Sequence, residues 1–159
     1  MFCWKSAVVA IVALGLVSPL GAQKVDPHVG TWKQNFDKST LTPAPTGPRP
    51  QSITRTYEMF GDGLKATLVT ISADGTRTVT TYSAHFDGKD VPFKGANSDT
   101  IALKKVNDRT FDSTIKKDGK VVQTVTNAVS ADGKTMTATG KGTNANGQAV
   151  SSVAVFEKQ

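Results

Sequence analysis

The chain has 159 residues, 38% of them hydrophobic, and a formal net charge of +6, enough length for one domain with a real core. Its only cysteine, Cys3, lies at the extreme N-terminus, which removes disulfides, thiol nucleophiles and Cys-ligated metal from everything that follows. The basic residues are scattered: the only adjacent pairs are Lys104-Lys105 and Lys116-Lys117, without interleaved aromatics, so no nucleic-acid footprint is present.

Met1–Lys5 carries one charge, Ser6–Val17 is a dense apolar run, and Ser18–Ala22 brings small residues and a proline. This is the layout of a secretory signal peptide, residues 1–22, with cleavage after Ala22. The apolar run is short of the roughly 20 residues that span a bilayer as a helix. Residues 23–159 are then expected to form a single exported domain, periplasmic or secreted, monomeric and not membrane-spanning after cleavage.

The first strand is predicted at 30–36, within "VGTWKQNF". Gly30 brings the chain into it, and Trp32 is expected to close one end of the fold. Asp37–Pro50 holds Pro43, Pro45, Pro48 and Pro50 and reads as a long Pro-rich connection, neither helix nor central strand. Beyond Pro50, Val/Ile/Thr-rich runs alternate with turns at Gly61-Asp62-Gly63, Ala73-Asp74-Gly75, Asp87-Gly88, Asn107-Asp108, Asp118-Gly119, Ala131-Asp132-Gly133 and Asn146-Gly147. Asp-Gly and Asn-Gly suit tight hairpins. Strands are predicted at 51–59, 64–72, 76–86, 91–95, 100–107, 109–117, 120–130, 134–142 and 148–157, the short fifth strand being weakened by Pro92. About ten strands without a helical period predict an all-β, antiparallel up-and-down meander closed into a barrel or folded as a sandwich.

Side chains alternate across a strand, which sorts the interior. Ile53, Arg55, Tyr57 and Met59 share the apolar face of the second strand. Gln123 and Asn127 fall between Val121, Val125 and Val129. Phe111, Ser113 and Ile115 align, as do Val150, Ser152, Ala154 and Phe156. A solid core accepts Arg, Gln and Asn poorly, whereas a ligand cavity is apolar with a few convergent polar groups. Arg55 therefore either orients a ligand inside the barrel or snorkels to its rim with its stem on the apolar face.

Gly-x-Trp at Gly30–Trp32 resembles the lipocalin signature, and "GTWK" with the terminal "VAVFEKQ" (Val153–Gln159) resembles the ends of fatty-acid-binding proteins. The resemblance implies the calycin group of ligand-binding barrels. Lys158 stands where lipocalins place a basic residue over the tryptophan. Two departures stand out. The Pro-rich loop occupies the place of the fatty-acid-binding proteins' helical lid, and Ala154 and Phe156 occupy the positions of their Arg-x-Tyr carboxylate clamp. A closer resemblance is to small exported bacterial proteins that share G-T-W-K-x-N-x-x-K-S, matched at Gly30, Thr31, Trp32, Lys33, Asn35, Lys38 and Ser39; it supports export and supplies no activity.

The expected function is an exported lipocalin-like barrel binding a small, moderately apolar or amphipathic molecule. Trp32, Phe36, Tyr57, Phe111 and Phe156 are expected to line the interior, and Arg55, Gln123 and Asn127 to orient the ligand. The alternative is a non-catalytic structural or protein-interaction β-domain without a pocket. No catalytic residue, metal site or cofactor is predicted. His85 near Asp87 and Asp90 reads as a polar turn rather than a metal centre. A calycin-type isomerase or cyclase would need a polar cluster around His85 or Arg55 inside the barrel.

Overall fold

The computed structural model describes residues 25–95 and 97–159. The expected signal segment, 1–22, lies outside the described residues. Ten strands follow in chain order: β1 (Gly30–Thr42), β2 (Ser52–Phe60), β3 (Gly63–Ile71), β4 (Arg77–His85), β5 (Val91–Gly95), β6 (Ser98–Asn107), β7 (Thr110–Lys117), β8 (Lys120–Val129), β9 (Thr135–Thr143) and β10 (Ala149–Lys158). They form one antiparallel sheet of order β4-β3-β2-β1-β10-β9-β8-β7-β6-β5. The first strand pairs with the last, so the meander curls into a barrel. Among the described residues no backbone ladder joins β4 to β5, and the barrel is nearly closed. At that seam Phe93 of β5 stands edge-on to Tyr82 of β4, with ring centroids 5.5 Å apart at 90°.

The turn chemistry explains the meander. At the β7–β8 connection, Asp118 and Gly119 both take positive φ, 49° and 74°, between the paired Lys117 and Lys120. A two-residue turn of that kind matches the right-handed twist of its strands, and glycine meets it without strain.

β1 departs from the sequence expectation. Asp37–Thr42 belongs to the strand, and the Pro-rich connection begins only at Pro43. Asn35 pairs with Val155, and the next pair is Thr40 with Val153. Phe36, Asp37, Lys38 and Ser39 therefore bulge opposite Ala154 alone. Asn35 Oδ1 accepts hydrogen bonds from the backbone N–H of Asp37 (3.1 Å) and Lys38 (3.2 Å). Ser39 Oγ donates to the Asn35 carbonyl (2.6 Å) and accepts from the Val155 N–H (3.0 Å), restoring the ladder through a side chain. Glu157 Oε1 accepts from Asn35 Nδ2 (3.0 Å) and Lys38 Nζ (2.9 Å). Because the extra residues number three, the bulge reverses the alternation: Gln34 shares the side of Phe156, and Leu41 the side of Ser152. Asn35, Lys38 and Ser39 of the N-terminal motif thus carry the bend of β1.

The barrel is filled at one end only. Trp32, Leu64, Leu103, Phe111, Met136 and Phe156 are fully buried. Along the β9–β10 ladder the inward pairs then shrink, from Met136–Phe156 to Ala138–Ala154, Gly140–Ser152 and Gly142–Val150. The Asp26–Val29 turn, closed by a bond from the Val29 N–H to the Asp26 carbonyl (3.0 Å), covers the packed end. Lys158 Nζ lies 5.1 Å over the Trp32 ring, and the Trp32 indole N–H donates to the His28 carbonyl at 2.7 Å. Gly30 takes φ 132°, a conformation that favours glycine, and a Cβ there would meet the flexible end of Lys158 at 2.8 Å.

Candidate functional site

The small inward residues of β9 and β10 leave a half-open cavity of about 530 Å³ in the other half of the barrel. Its walls are apolar, with Leu68, Ile101, Ile115, Val125 and Val150 among them. Its floor is polar and is set by β2, β7 and β8. Arg55 and Tyr57 come from β2, Ser113 from β7 and Asn127 from β8. Arg55 lies opposite Trp32 in the β1–β2 register, so it enters the barrel directly above the packed aromatic.

Arg55 Nη1 donates to Asn127 Oδ1 (3.3 Å), and its guanidinium lies 4.4 Å over the Phe156 ring. Asn127 Nδ2 donates to Ser113 Oγ (3.2 Å). Arg55 Nε is buried and has no hydrogen-bond partner. A buried donor left unmade costs about 1–3 kcal/mol. Tyr82 also lines the cavity. Burial pushes its hydroxyl well above the ordinary tyrosine range, the Tyr57 side chain adding to the effect, so it is a neutral donor and acceptor.

Beneath this floor sits a buried group that the sequence did not single out. His28 is fully buried and Asp26 nearly so. His28 Nδ1 lies 2.7 Å from Asp26 Oδ1, and Nε2 lies 3.2 Å from the Asn127 carbonyl. Its ring meets Phe111 edge-on at 4.6 Å. Lys105 Nζ pairs with the other Asp26 oxygen and lies 4.6 Å over Phe86. Burial works against ionisation of Asp26, but hydrogen bonds from His28 and Lys105 outweigh it and hold the carboxyl well below the usual range.

The predicted site residues divide. Arg55, Tyr57, Gln123 and Asn127 line the cavity. Trp32, Phe111 and Phe156 do not; they point inward but lie in the filled half, fully buried. Phe36 does not either: it sits in the β1 bulge, with the Arg49 guanidinium 5.1 Å from its ring. Alternation along a strand gives the face and not the depth, which is why inward aromatics were read as lining. Phe93 and Tyr82 were missed as lining residues; their pairing across β4 and β5 has no local signal.

His85 is exposed, and its Nδ1 contacts Asp62 on the neighbouring turn. Asp90 pairs instead with Lys116 at 2.7 Å, and Asp87 accepts from the Lys89 N–H at 3.0 Å. Among the described residues no three His, Cys, Asp or Glu side chains are grouped so as to hold a metal ion.

Comparison with solved structures finds zebrafish ileal bile acid-binding protein in complex with cholic acid, at a TM-score of 0.53 and 14% identity, over 84% of this chain and 99% of that one. At that identity the likeness is one of fold, and it identifies the ten-stranded barrel as fatty-acid-binding-protein-like. No family model matches the chain, and no curated protein matches it.

Proposed function

We propose that this chain is an exported carrier that takes a small amphipathic molecule into the open half of its barrel. The observation that carries the reading is the cavity itself: apolar walls that converge on a polar floor at Arg55 and Asn127, with Gln123 nearer the mouth. Its volume of about 530 Å³ falls in the roughly 300–1,000 Å³ range of small-molecule sites. The bile acid held by the zebrafish protein of similar fold is a compact amphipath, which favours that kind of ligand. The N-terminal charge, apolar run and small-residue segment favour export, and the carrier acts as a monomer outside the cytoplasm.

Native mass spectrometry of the purified protein, first as isolated and then with a library of lipids and aromatic acids, tests this. A one-to-one complex is the expected result. No co-purifying mass and no uptake from the library would overturn it.

A further inference from the structure

We propose that the cavity selects compact monoanions. A carboxylate, sulfate or sulfonate head seats inward on Arg55, and the apolar body is no longer than roughly ten carbons. This rests on the ligand-binding reading above and adds the class of ligand.

The charge argument comes first. Of the described residues that line the cavity, Arg55 alone carries a charge. Its contacts are an amide oxygen, Asn127 Oδ1 at 3.3 Å, and the face of the Phe156 ring. Its Nε is buried and unmatched. Asn127 has the shape of an aspartate without the charge, so the cation is held in place and left unneutralised. A guanidinium in a recess of low dielectric prefers an oxyanion, which its fork can meet with two parallel bonds. The seat is on β2, far in sequence from the final strand, where Ala154 and Phe156 offer no side-chain donor.

Depth sets the length of the ligand. Along β8 the lining runs from Asn127 at the floor to Val122 at the mouth, and along β10 from Ala154 to Val150. At about 3.4 Å per residue these runs are roughly 14–17 Å long. Barrel strands tilt by about 35–45°, so the depth is roughly 10–13 Å, which an extended acyl chain fills with about eight to ten carbons. Trp32, Phe111, Met136 and Phe156 fill the barrel below and leave a longer chain nowhere to descend. Ile115, Val125 and Val150 would take the apolar body above the head.

Isothermal titration at neutral pH and low salt with decanoate, decanol, decyltrimethylammonium and hexadecanoate tests the proposal on the wild type, Arg55→Met and Asn127→Asp. Decanoate should bind at least tenfold more tightly than decanol or the cation, and at least tenfold more tightly than hexadecanoate. Arg55→Met should bring decanoate and decanol level. Asn127→Asp supplies an internal carboxylate to Arg55 without a change of shape. It should weaken decanoate at least tenfold and decanol by much less. Equal binding of decanol and decanoate by the wild type, or a preference that survives Arg55→Met, would overturn the anion seat while leaving the carrier reading intact. Tighter binding of hexadecanoate would overturn the length limit. If no probe binds, decanol included, the carrier reading falls with it.

Discussion

The two halves of the barrel share the same ten strands and differ in what their inward positions carry. In the packed half Met136 faces Phe156, with Trp32 and Phe111 close by. One step up the same ladder the pairs are Ala138–Ala154, Gly140–Ser152 and Gly142–Val150. Backbone, register and hairpins continue unchanged from one half to the other; only side-chain volume falls. A cavity in this fold is therefore made by omission. The packed half supplies the stability that lets the open half stay hollow, since empty apolar space forfeits contacts that a filled core makes.

The sharpest way to break this contrast is Phe111→Ala. Phe111 is fully buried among His28, Tyr57 and Phe86, and its loss should cost about 3–5 kcal/mol, read as a fall in the denaturant midpoint. Val125→Ala, at the wall of an existing cavity, should cost about 1 kcal/mol in the same measurement. Equal losses would mean that both halves are core.

Next in size is Asp26→Asn, at the covered end. It leaves His28 and Lys105 facing a neutral amide, and breaking such a pair costs about 3 kcal/mol, Lys105 being partly exposed. Because the folded Asp26 carboxyl titrates below its unfolded value, its contribution is complete above about pH 4 and is lost as the pH falls further. Stability of the wild type should therefore fall more steeply in acid than that of Asp26→Asn. Parallel curves would show that the pair does not hold the turn over the packed end.

Two substitutions sharpen the picture in the open half. A Cβ at Gly142 would stand 2.2 Å from the Val122 carbonyl oxygen, whereas one at Gly140 would meet the side-chain ends of Ser152 and Gln123. Gly142→Ala should cost about 1–3 kcal/mol. Gly140→Ala should cost less in stability, with any loss appearing instead in ligand uptake, because Ser152 and Gln123 line the cavity. The smallest effect is expected at the bulge. Ser39→Ala leaves the Val155 N–H without its acceptor at 3.0 Å and should lower stability by about 1 kcal/mol, seen as faster amide exchange at Val155.

The sequence made the fold legible because strand and turn signals are local. Asp74-Gly75 and Asp118-Gly119 mark hairpins whatever lies beyond them, and the alternation around Tyr57 or Phe111 gives a face without tertiary knowledge. What was missed depended on distant partners. Asp37–Thr42 looks like the start of the Pro-rich connection until β10 pairs with it, more than a hundred residues on. The bend that allows this is held by Asn35 and Ser39 side chains, not by any turn signature. His28 and Asp26 precede the first strand and acquire meaning only when Lys105 and Asn127 close around them. Arg55 and Asn127 stood out because polar residues on an otherwise apolar face break a local pattern. The inward aromatics were harder, since nothing nearby tells Phe111 how far along the barrel axis it will sit.

The position of β10 between β1 and β9 also has a kinetic consequence. Apart from the β1–β10 pair, every ladder joins neighbours in sequence, so among the described residues the sheet minus β10 is two ribbons, β1–β4 and β5–β9, with no backbone ladder between them. The last strand is the keystone that unites them. Synthesis must reach β10 before the ring can shut, and such a non-local closure is expected to slow folding. Until β10 pairs, the β1 edge of one ribbon and the β9 edge of the other have no partner strand.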